Sequence, residues 1–284
     1  MTQKRLRDST PAARWVMRAA CTWMACLCLA LPVRAAPIDD LMGALRISEM
    51  VEVMRDEGMT YGSELADDLL PGGDSLAWQV LVSDIYDNES MLAVVEKGFA
   101  GAIAETDVDP LMAFFNSDLG KRIVDLELSA RKAMVDDAVE EAAREKYRSL
   151  QGSEDPRLAQ IQRFVEVNDL LEANVSGALN ASYRFYSGLV DGGALRLSES
   201  EILSDVWQQE ESTREDTREW VYAYLLLAYE PLSDEDLEAY IALTETAQGR
   251  ALNQALFAGF NNMYDTISYA LGLAAARLMQ QQEL

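Results

Sequence analysis

Two pairs of acidic residues have a spacing that could support acid–base chemistry. Glu49 and Glu52 lie three residues apart, as do Asp169 and Glu172, which places both members of each pair on one face of a helix. Two carboxylates with different pKa values can serve as general acid and general base, as in glycoside hydrolases. The pairs therefore allow a carboxylate-dependent hydrolase acting on an envelope polymer. Such pairs also arise freely in an acidic chain, so we favour the interpretation that they are solvated helix faces.

The residues needed for most other catalytic chemistries are missing. The chain contains no histidine, which excludes Ser-His-Asp and Cys-His catalysis. Its three cysteines, Cys21, Cys26 and Cys28, lie near the N-terminus, so zinc sites built from histidine and cysteine are excluded elsewhere. Neither GxxxxGK[ST] nor GxGxxG occurs, so no phosphate-binding loop is expected. We assign no catalytic residue and expect no cofactor.

Oxygen ligands for a metal ion are plentiful but are not ordered as a defined site. Acidic clusters occur at Asp67-Asp68, at Asp136-Asp137 and in the stretch SDED at 233–236. None has the twelve-residue order of a calcium loop with its central glycine. The sequence therefore predicts diffuse association with Ca²⁺ or Mg²⁺ and no metal site.

Aromatic residues are concentrated between positions 183 and 229. Within this region Trp220, Tyr222 and Tyr224 alternate along one predicted helix. Alternate residues of a helix cannot all face one side, so at least one of the three is expected to point outward. Exposed Trp and Tyr suit an interface or a ligand groove. We name these three as candidate binding residues, while packing against the other half of the chain is the interpretation that we favour.

Helices are expected to position all of these residues. The spacing i, i+3, i+4, i+7 of an amphipathic helix is met by Ile47, Met50, Val51 and Met54. Ser233 and Asp236 have the spacing of a capping box. Apolar residues three and four positions apart continue from Leu252 to Leu278, which predicts a long last helix. Sustained strand-type alternation is absent, and we predict an all-α fold of helical bundles.

Two stretches of the chain share one pattern of residue types. LMAFFNSDLGKRI (111–123) and YIALTETAQGRAL (240–252) each combine an apolar run, Ser or Thr, two residues, Gly and a basic residue. Ser117 and Thr246 can cap the following helix, which puts Gly120 and Gly249 at its third position. Glycine inside a helix costs about 1 kcal/mol relative to alanine, so close approach of another backbone is expected there. We favour a tight helix–helix corner over the alternative, an anion-binding helix N-terminus.

Further matches extend the repetition. ALRISEMVE (44–52) matches FVEVNDLLE (164–172), with Glu49 opposite Asp169. Beyond these stretches the double glycine at 72–73 matches that at 192–193, and Trp78 matches Trp207, which we therefore expect in the core. The sequence predicts two duplicated helical domains, residues 36–150 and 155–284, related by a pseudo-twofold axis. The turn formers Gly, Ser, Asp and Pro join them at residues 151–156.

The first 35 residues have the pattern of a cleaved signal peptide. Five basic residues precede the apolar run Ala19–Leu31, whose 13 residues are too few to span a bilayer. Val33 and Ala35 fit the small-residue positions of a cleavage site, so we expect cleavage after Ala35. No later apolar stretch is long enough to predict a transmembrane span in the mature chain. We expect a periplasmic protein, with secretion as the second choice.

The charge of the chain is strongly negative. The leader contains six of the 24 basic residues and one of the 48 acidic residues, so the remainder has 18 and 47 and a net charge of −29. This charge repels nucleic acid phosphates, and no nucleic acid partner is expected. It also keeps an exported protein soluble, which we favour over attraction of a specific basic partner.

The segments FFNSDLGKR (114–122) and TETAQGRAL (244–252) resemble the signature of a bacterial family known as the domain of unknown function numbered two-zero-five-nine. Its pattern is an apolar helix, then Ser/Thr-Pro-x-Gly-Arg/Lys, then a second helix; Asp118 and Ala247 stand here in place of the proline. The resemblance covers about 20 residues in each half. It implies a secreted helical domain, present twice, and no catalytic residue.

These observations favour an exported protein without enzymatic activity. We expect a binding or protein-interaction module whose partner is an unidentified envelope protein or ligand. The hydrolase with paired carboxylates is the alternative.

Overall fold

The computed structural model describes residues 35–70 and 73–282, which contain helices and no strand. The all-α prediction is confirmed. The helices in chain order are α1 (Ala35–Ala44), α2 (Ile47–Leu69), α3 (Leu76–Ile85), α4 (Asn88–Ile103), α5 (Asp109–Phe115), α6 (Asp118–Ala133), α7 (Asp137–Leu150), α8 (Pro156–Val167), α9 (Leu170–Asp191), α10 (Glu199–Trp207), α11 (Glu210–Tyr229), α12 (Asp234–Thr244) and α13 (Ala247–Gln282). Residues 1–34 of the predicted signal peptide lie outside the described residues.

Polar side chains determine where several helices begin. Ser233 Oγ accepts a hydrogen bond from Asp236 N at 3.1 Å, so the predicted cap of α12 is confirmed. Ser198 and Glu201 form a complete capping box at α10. Such caps contribute about 1 kcal/mol each because they satisfy backbone N–H groups that lack a helical partner.

The two Ser/Thr-x-x-Gly corners have the same hydrogen bonds. Ser117 Oγ accepts from Gly120 N at 3.1 Å, and Thr246 Oγ1 accepts from Gly249 N at 2.9 Å. Each hydroxyl also donates to the carbonyl oxygen three residues earlier, at 2.6 and 2.7 Å respectively. One side chain therefore closes the end of the helix before the corner and the start of the helix after it.

Glycine is required at both corners by the close approach of the preceding helix. A Cβ atom on Gly120 would lie 2.1 Å from the carbonyl oxygen of Phe114, and one on Gly249 would lie 2.2 Å from that of Leu243. The predicted tight corners are confirmed. At the second corner the Arg250 guanidinium donates a hydrogen bond to the backbone carbonyl of Glu245, the C-cap residue of α12.

Other local geometry recurs in the same order along the chain. Arg46 and Asp169 both have left-handed backbone, with φ of 53° and 52°, and each directly precedes a long helix, α2 or α9. Ser75 and Ser198 cap the helices that follow, α3 and α10. By backbone conformation Asp169 corresponds to Arg46. The sequence match instead pairs Asp169 with Glu49, three residues after Arg46.

The match between Trp78 and Trp207 is wrong as a prediction of core position. Trp78 lies in the first turn of α3, is fully buried, and donates from Nε1 to the carbonyl oxygen of Gly62 at 2.7 Å. Trp207 is the last residue of α10 and is 71 % exposed. The two residues lie at opposite ends of their helices, so they face different surroundings.

Buried residues from both predicted halves join in one hydrophobic core. Its fully buried side chains include Trp78 and Phe99 from the first half, and Tyr229 and Met263 from the second. By internal contacts, the described residues from Ile38 onward form one compact unit. The domain boundaries at 36–150 and 155–284 and the pseudo-twofold relation stay predictions.

The predicted long last helix is confirmed, since α13 contains 36 residues. It packs along α9 in the second half and along α4 in the first. Close packing with α9 depends on glycine, because a Cβ atom on Gly188 would lie 2.3 Å from the carbonyl oxygen of Tyr269. Across residues 35–70 and 73–282, none of the helices combines the length and the apolar character needed to cross a membrane.

Candidate ligand-binding cavity

The structure brings two of the three predicted binding residues together. Trp220 and Tyr224, one helical turn apart on α11, stack with ring centres 5.3 Å apart and planes inclined by 10°. Tyr222 faces another direction and stacks on Tyr147 of α7, with ring centres 4.8 Å apart. All three are partly buried. Residues four apart share a helix face and residues two apart do not, which explains the division.

A charged pair lies against the Trp220 ring. Arg131 on α6 donates to Glu57 on α2 through two hydrogen bonds, Nε to Oε1 at 2.7 Å and Nη2 to Oε2 at 2.5 Å. The guanidinium carbon lies 4.6 Å from the centre of the Trp220 ring, within the range of a cation–π contact. Because the two side chains are only 17 % and 28 % exposed, this pair is shielded from solvent far more than a surface ion pair. It connects α2, α6 and α11.

These groups form part of the wall of a cavity of about 690 Å³. Its other walls come from α7, α9 and α13. The aromatic rings that line it are Tyr61, Trp220, Phe257, Phe260 and Tyr264. Amide side chains line it at Asn174, Asn253 and Asn261. The volume falls within the range of about 300–1,000 Å³ that is usual for small-molecule sites, and an apolar lining with a few polar groups is typical of them.

A second acidic group lies one helical turn before Arg131. Glu127 Oε1 accepts hydrogen bonds from Tyr229 Oη at 2.5 Å and from Tyr240 Oη at 3.2 Å, while its backbone oxygen accepts from Tyr224 Oη at 3.1 Å. Burial raises the pKa of Glu127, and the hydrogen bonds from Tyr229 and Tyr240 lower it by less. Through Tyr224 this cluster supports the ring that stacks on Trp220.

No sequence pattern points to Arg131, Glu57 or Glu127. Each is one of many charged residues on amphipathic helices, and spacing alone does not separate it from its neighbours. Arg131 and Glu57 are 74 positions apart, so only the packing of α2 on α6 brings them together. The cluster of aromatic residues on α11 was the signal that pointed toward this part of the molecule.

The carboxylate pairs of the hydrolase prediction lie away from the cavity, because none of their four members lines it. Glu49 accepts from Arg46 Nε at 2.5 Å, and Glu172 accepts from Arg214 Nη2 at 2.8 Å. Hydrogen bonding to these arginines holds the pKa of each of the two glutamates below its usual value. A general acid needs a raised pKa, so these two groups are better suited to ion pairing.

Two of the three acidic clusters lie at helix N-termini, Asp136-Asp137 at α7 and the stretch 233–236 at α12. Asp136 accepts from Ala138 N at 2.9 Å at the start of α7, and Ser233 caps α12. In the part of the chain that the structure describes, no group of three or more carboxylates is arranged to hold a metal ion.

Comparison with known proteins gives one match. No curated protein and no solved structure shows significant similarity to the chain. A family described as an uncharacterized protein conserved in bacteria (DUF2059) matches residues 89–148. This segment runs from α4 to α7 and contains the first corner, with Ser117 and Gly120, and the cavity residue Arg131. The predicted resemblance is therefore confirmed for one copy, since residues 89–148 are similar to this family of unknown function.

Proposed function

We propose that the chain is an exported binding protein without enzymatic activity, and that it holds a small ligand in the cavity beside Trp220. The observation that carries this proposal is the cavity itself, about 690 Å³ and lined by aromatic rings, amides and a shielded ion pair. Sites with this size and lining bind small molecules through apolar contact and use their polar groups for orientation.

The rigidity of the walls supports binding. Arg131 is held at once by Glu57 and by the Trp220 ring, and Tyr224 is held by the backbone of α6. A wall whose side chains are fixed before binding loses little conformational entropy when a ligand enters. The proposed binding residues are Trp220, Arg131 and Glu57, which line the cavity, whereas Tyr224 lies outside the lining and is proposed as support for the Trp220 ring. Tyr222 stacks on Tyr147 and is proposed only as support for α11.

The proposal places the protein in the periplasm. The basic segment, short apolar run and small residues at 33 and 35 support cleavage by signal peptidase after Ala35. N-terminal sequencing of the protein from a periplasmic fraction tests this part, and the expected first residue is Ala36. Retention of Met1 in a cytoplasmic fraction would contradict it.

The proposal also includes an origin by duplication of a helical unit. Its support is the pair of corners with matching hydrogen bonds and matching glycine surroundings, together with the left-handed residues before α2 and α9. The corresponding test compares the loss of stability on substitution of Gly120 and of Gly249, which we expect to be equal. None of the contacts that Glu49, Glu52, Asp169 and Glu172 make favours the hydrolase alternative.

Blocking the cavity tests the binding function. Ala178 on α9 lines the cavity, so Ala178→Trp would place an indole ring inside it and obstruct a ligand. Ala242 on α12 is an exposed helical alanine outside the cavity, so Ala242→Trp is the matched control. Each protein is incubated with periplasmic small-molecule extract, desalted and analysed by native mass spectrometry. We expect a bound mass on the wild type and on Ala242→Trp but not on Ala178→Trp; a bare wild type would contradict the proposal.

A further inference from the structure

The lining of the cavity contains more negative than positive charge. Its carboxylates are Glu57, Glu64, Asp137, Glu140 and Asp216. The single basic side chain among the lining residues is Arg131. Because Arg131 holds Glu57 through two hydrogen bonds, that carboxylate is already balanced within the wall.

Arg144 does not line the cavity but forms ion pairs with two of its lining carboxylates. Arg144 Nε lies 2.8 Å from Glu140, and Arg144 Nη1 lies 3.0 Å from Asp216. A single positive charge thus serves two lining carboxylates, and Glu219 also draws on it, at 3.3 Å. Since the Arg144 side chain is only 12 % exposed, it is committed to these contacts.

Two lining carboxylates have no positive partner among the residues that the structure describes. Glu64 and Asp137 form no ion pair with any residue in 35–70 or 73–282. Both are exposed as well as lining the cavity, so they lie on its solvent-facing side. Arg144 carries one positive charge and therefore balances only one of the two carboxylates of Glu140 and Asp216. Together with Glu64 and Asp137, the unbalanced carboxylate gives the cavity a net charge of about −3 in a chain that is acidic overall.

The aromatic wall is suited to contact with a positive group. The protein itself places the Arg131 guanidinium over the Trp220 ring at 4.6 Å. The rings of Phe257, Phe260 and Tyr264 line the same space, and the face of each ring attracts a cation.

We infer that the ligand of this cavity is an organic cation with an apolar body, an inference that rests on the proposed function above. The apolar body would contact the rings, and the positive group would lie toward Glu64 and Asp137. An anion would be repelled by the lining. A neutral ligand would remove water from carboxylates without replacing their hydration, which is unfavourable.

Three probes with one apolar body test the charge preference. Phenylpropyltrimethylammonium, phenylpropanol and phenylbutyrate are titrated into the full chain by isothermal calorimetry. We expect the cation to bind about tenfold more tightly than the alcohol, as a few partly exposed charge contacts would provide, and the anion to show no binding. The dissociation constant of the cation should rise with ionic strength, whereas that of the alcohol should stay constant, because salt screens exposed charges.

Neutral substitutions locate the charge effect. Glu64→Gln and Asp137→Asn should each weaken binding of the cation by about twofold to fivefold and should not weaken binding of the alcohol. Glu52→Gln is the matched control, since Glu52 is exposed on the same helix as Glu64 and does not line the cavity. An equal loss for the cation in the control and in Glu64→Gln would overturn the inference.

The outcomes separate this inference from the proposed function. If the alcohol or the anion binds as tightly as the cation, and Ala178→Trp abolishes that binding, the cavity is a binding site but the inference about charge is wrong. If no probe binds the wild type at millimolar concentration, or if Ala178→Trp leaves binding of the cation intact, both the inference and the assignment of the cavity are contradicted.

Discussion

The guanidinium carbon of Arg131 lies 4.6 Å from the centre of the Trp220 ring. Through this contact, and through the two hydrogen bonds to Glu57, one arginine joins α6 to α11 and to α2. The cavity wall and the packing of three helices therefore depend on the same side chain.

Removal of Arg131 should cost stability because it leaves Glu57 shielded and unpaired. Breaking a fully buried ion pair costs about 3–5 kcal/mol, and we expect about 2 kcal/mol for Arg131→Met because this pair keeps some exposure. Replacing both partners, in Arg131→Met with Glu57→Leu, should recover most of that loss. Urea unfolding of the four proteins measures the coupling. Losses that simply add would show that the pair has no specific role.

The corner glycines should be equally intolerant of alanine. The added methyl would lie 2.1 or 2.2 Å from a backbone carbonyl oxygen, so Gly120→Ala and Gly249→Ala should each lower the free energy of unfolding by about 2–3 kcal/mol. Gly101→Ala is the control, because Gly101 lies in α4 with no atom within 4 Å of its Cβ position, and there alanine should stabilise by about 0.5–1 kcal/mol. Chemical denaturation checks all three. A mild effect at one corner and a large one at the other would argue against their equivalence.

The stability of the protein should depend on Glu127 with a definite sign. Burial raises its pKa in the folded state above the ordinary value of 4.5, so the folded protein binds more protons than the unfolded chain between the two values. The contribution of Glu127 to stability is therefore full below the unfolded pKa and is lost as pH rises toward the folded pKa. Glu127→Gln cannot ionise, so the stability of the variant relative to wild type should increase from acid to neutral pH.

Glu141 provides a control of opposite sign. A hydrogen bond from Arg148 lowers its pKa, so its contribution is present above the unfolded pKa and is lost as pH falls. The stability of Glu141→Gln relative to wild type should accordingly decrease toward neutral pH. Thermal unfolding across this pH range measures both trends, and parallel curves for the two variants would contradict the assignment.

The two matched tryptophans should respond differently to truncation. Trp78 is fully buried and hydrogen-bonded to Gly62, so Trp78→Ala should cost about 3–5 kcal/mol. Trp207 is 71 % exposed, and Trp207→Ala should change stability by less than about 0.5 kcal/mol. Denaturant titration followed by circular dichroism distinguishes the two. A large loss at Trp207 would mean that this residue is covered by a contact outside the described chain.

The features that local rules govern were predictable from the sequence. The all-α fold, the cap at Ser233, the corners at Gly120 and Gly249 and the long last helix follow from spacing, capping and glycine placement, which act within a few residues. The pairing of Trp78 with Trp207 failed because a match of residue type does not report the helix end at which each residue lies: Trp78 is in the first turn of α3, and Trp207 is the last residue of α10. Arg131 and Glu57 could not be predicted because their contact depends on the packing of two helices 74 positions apart.

The most direct test of the account observes Trp220 while a ligand binds. The indole N–H resonances of Trp78, Trp207 and Trp220 can be assigned by Trp→Phe substitution and followed by NMR during titration with phenylpropyltrimethylammonium. Because Trp220 alone among these three lines the cavity, we expect its resonance to shift in proportion to occupancy while the other two stay in place. A shift at Trp207 with none at Trp220, or no shift at any of the three, would contradict the assignment of the cavity as the binding site.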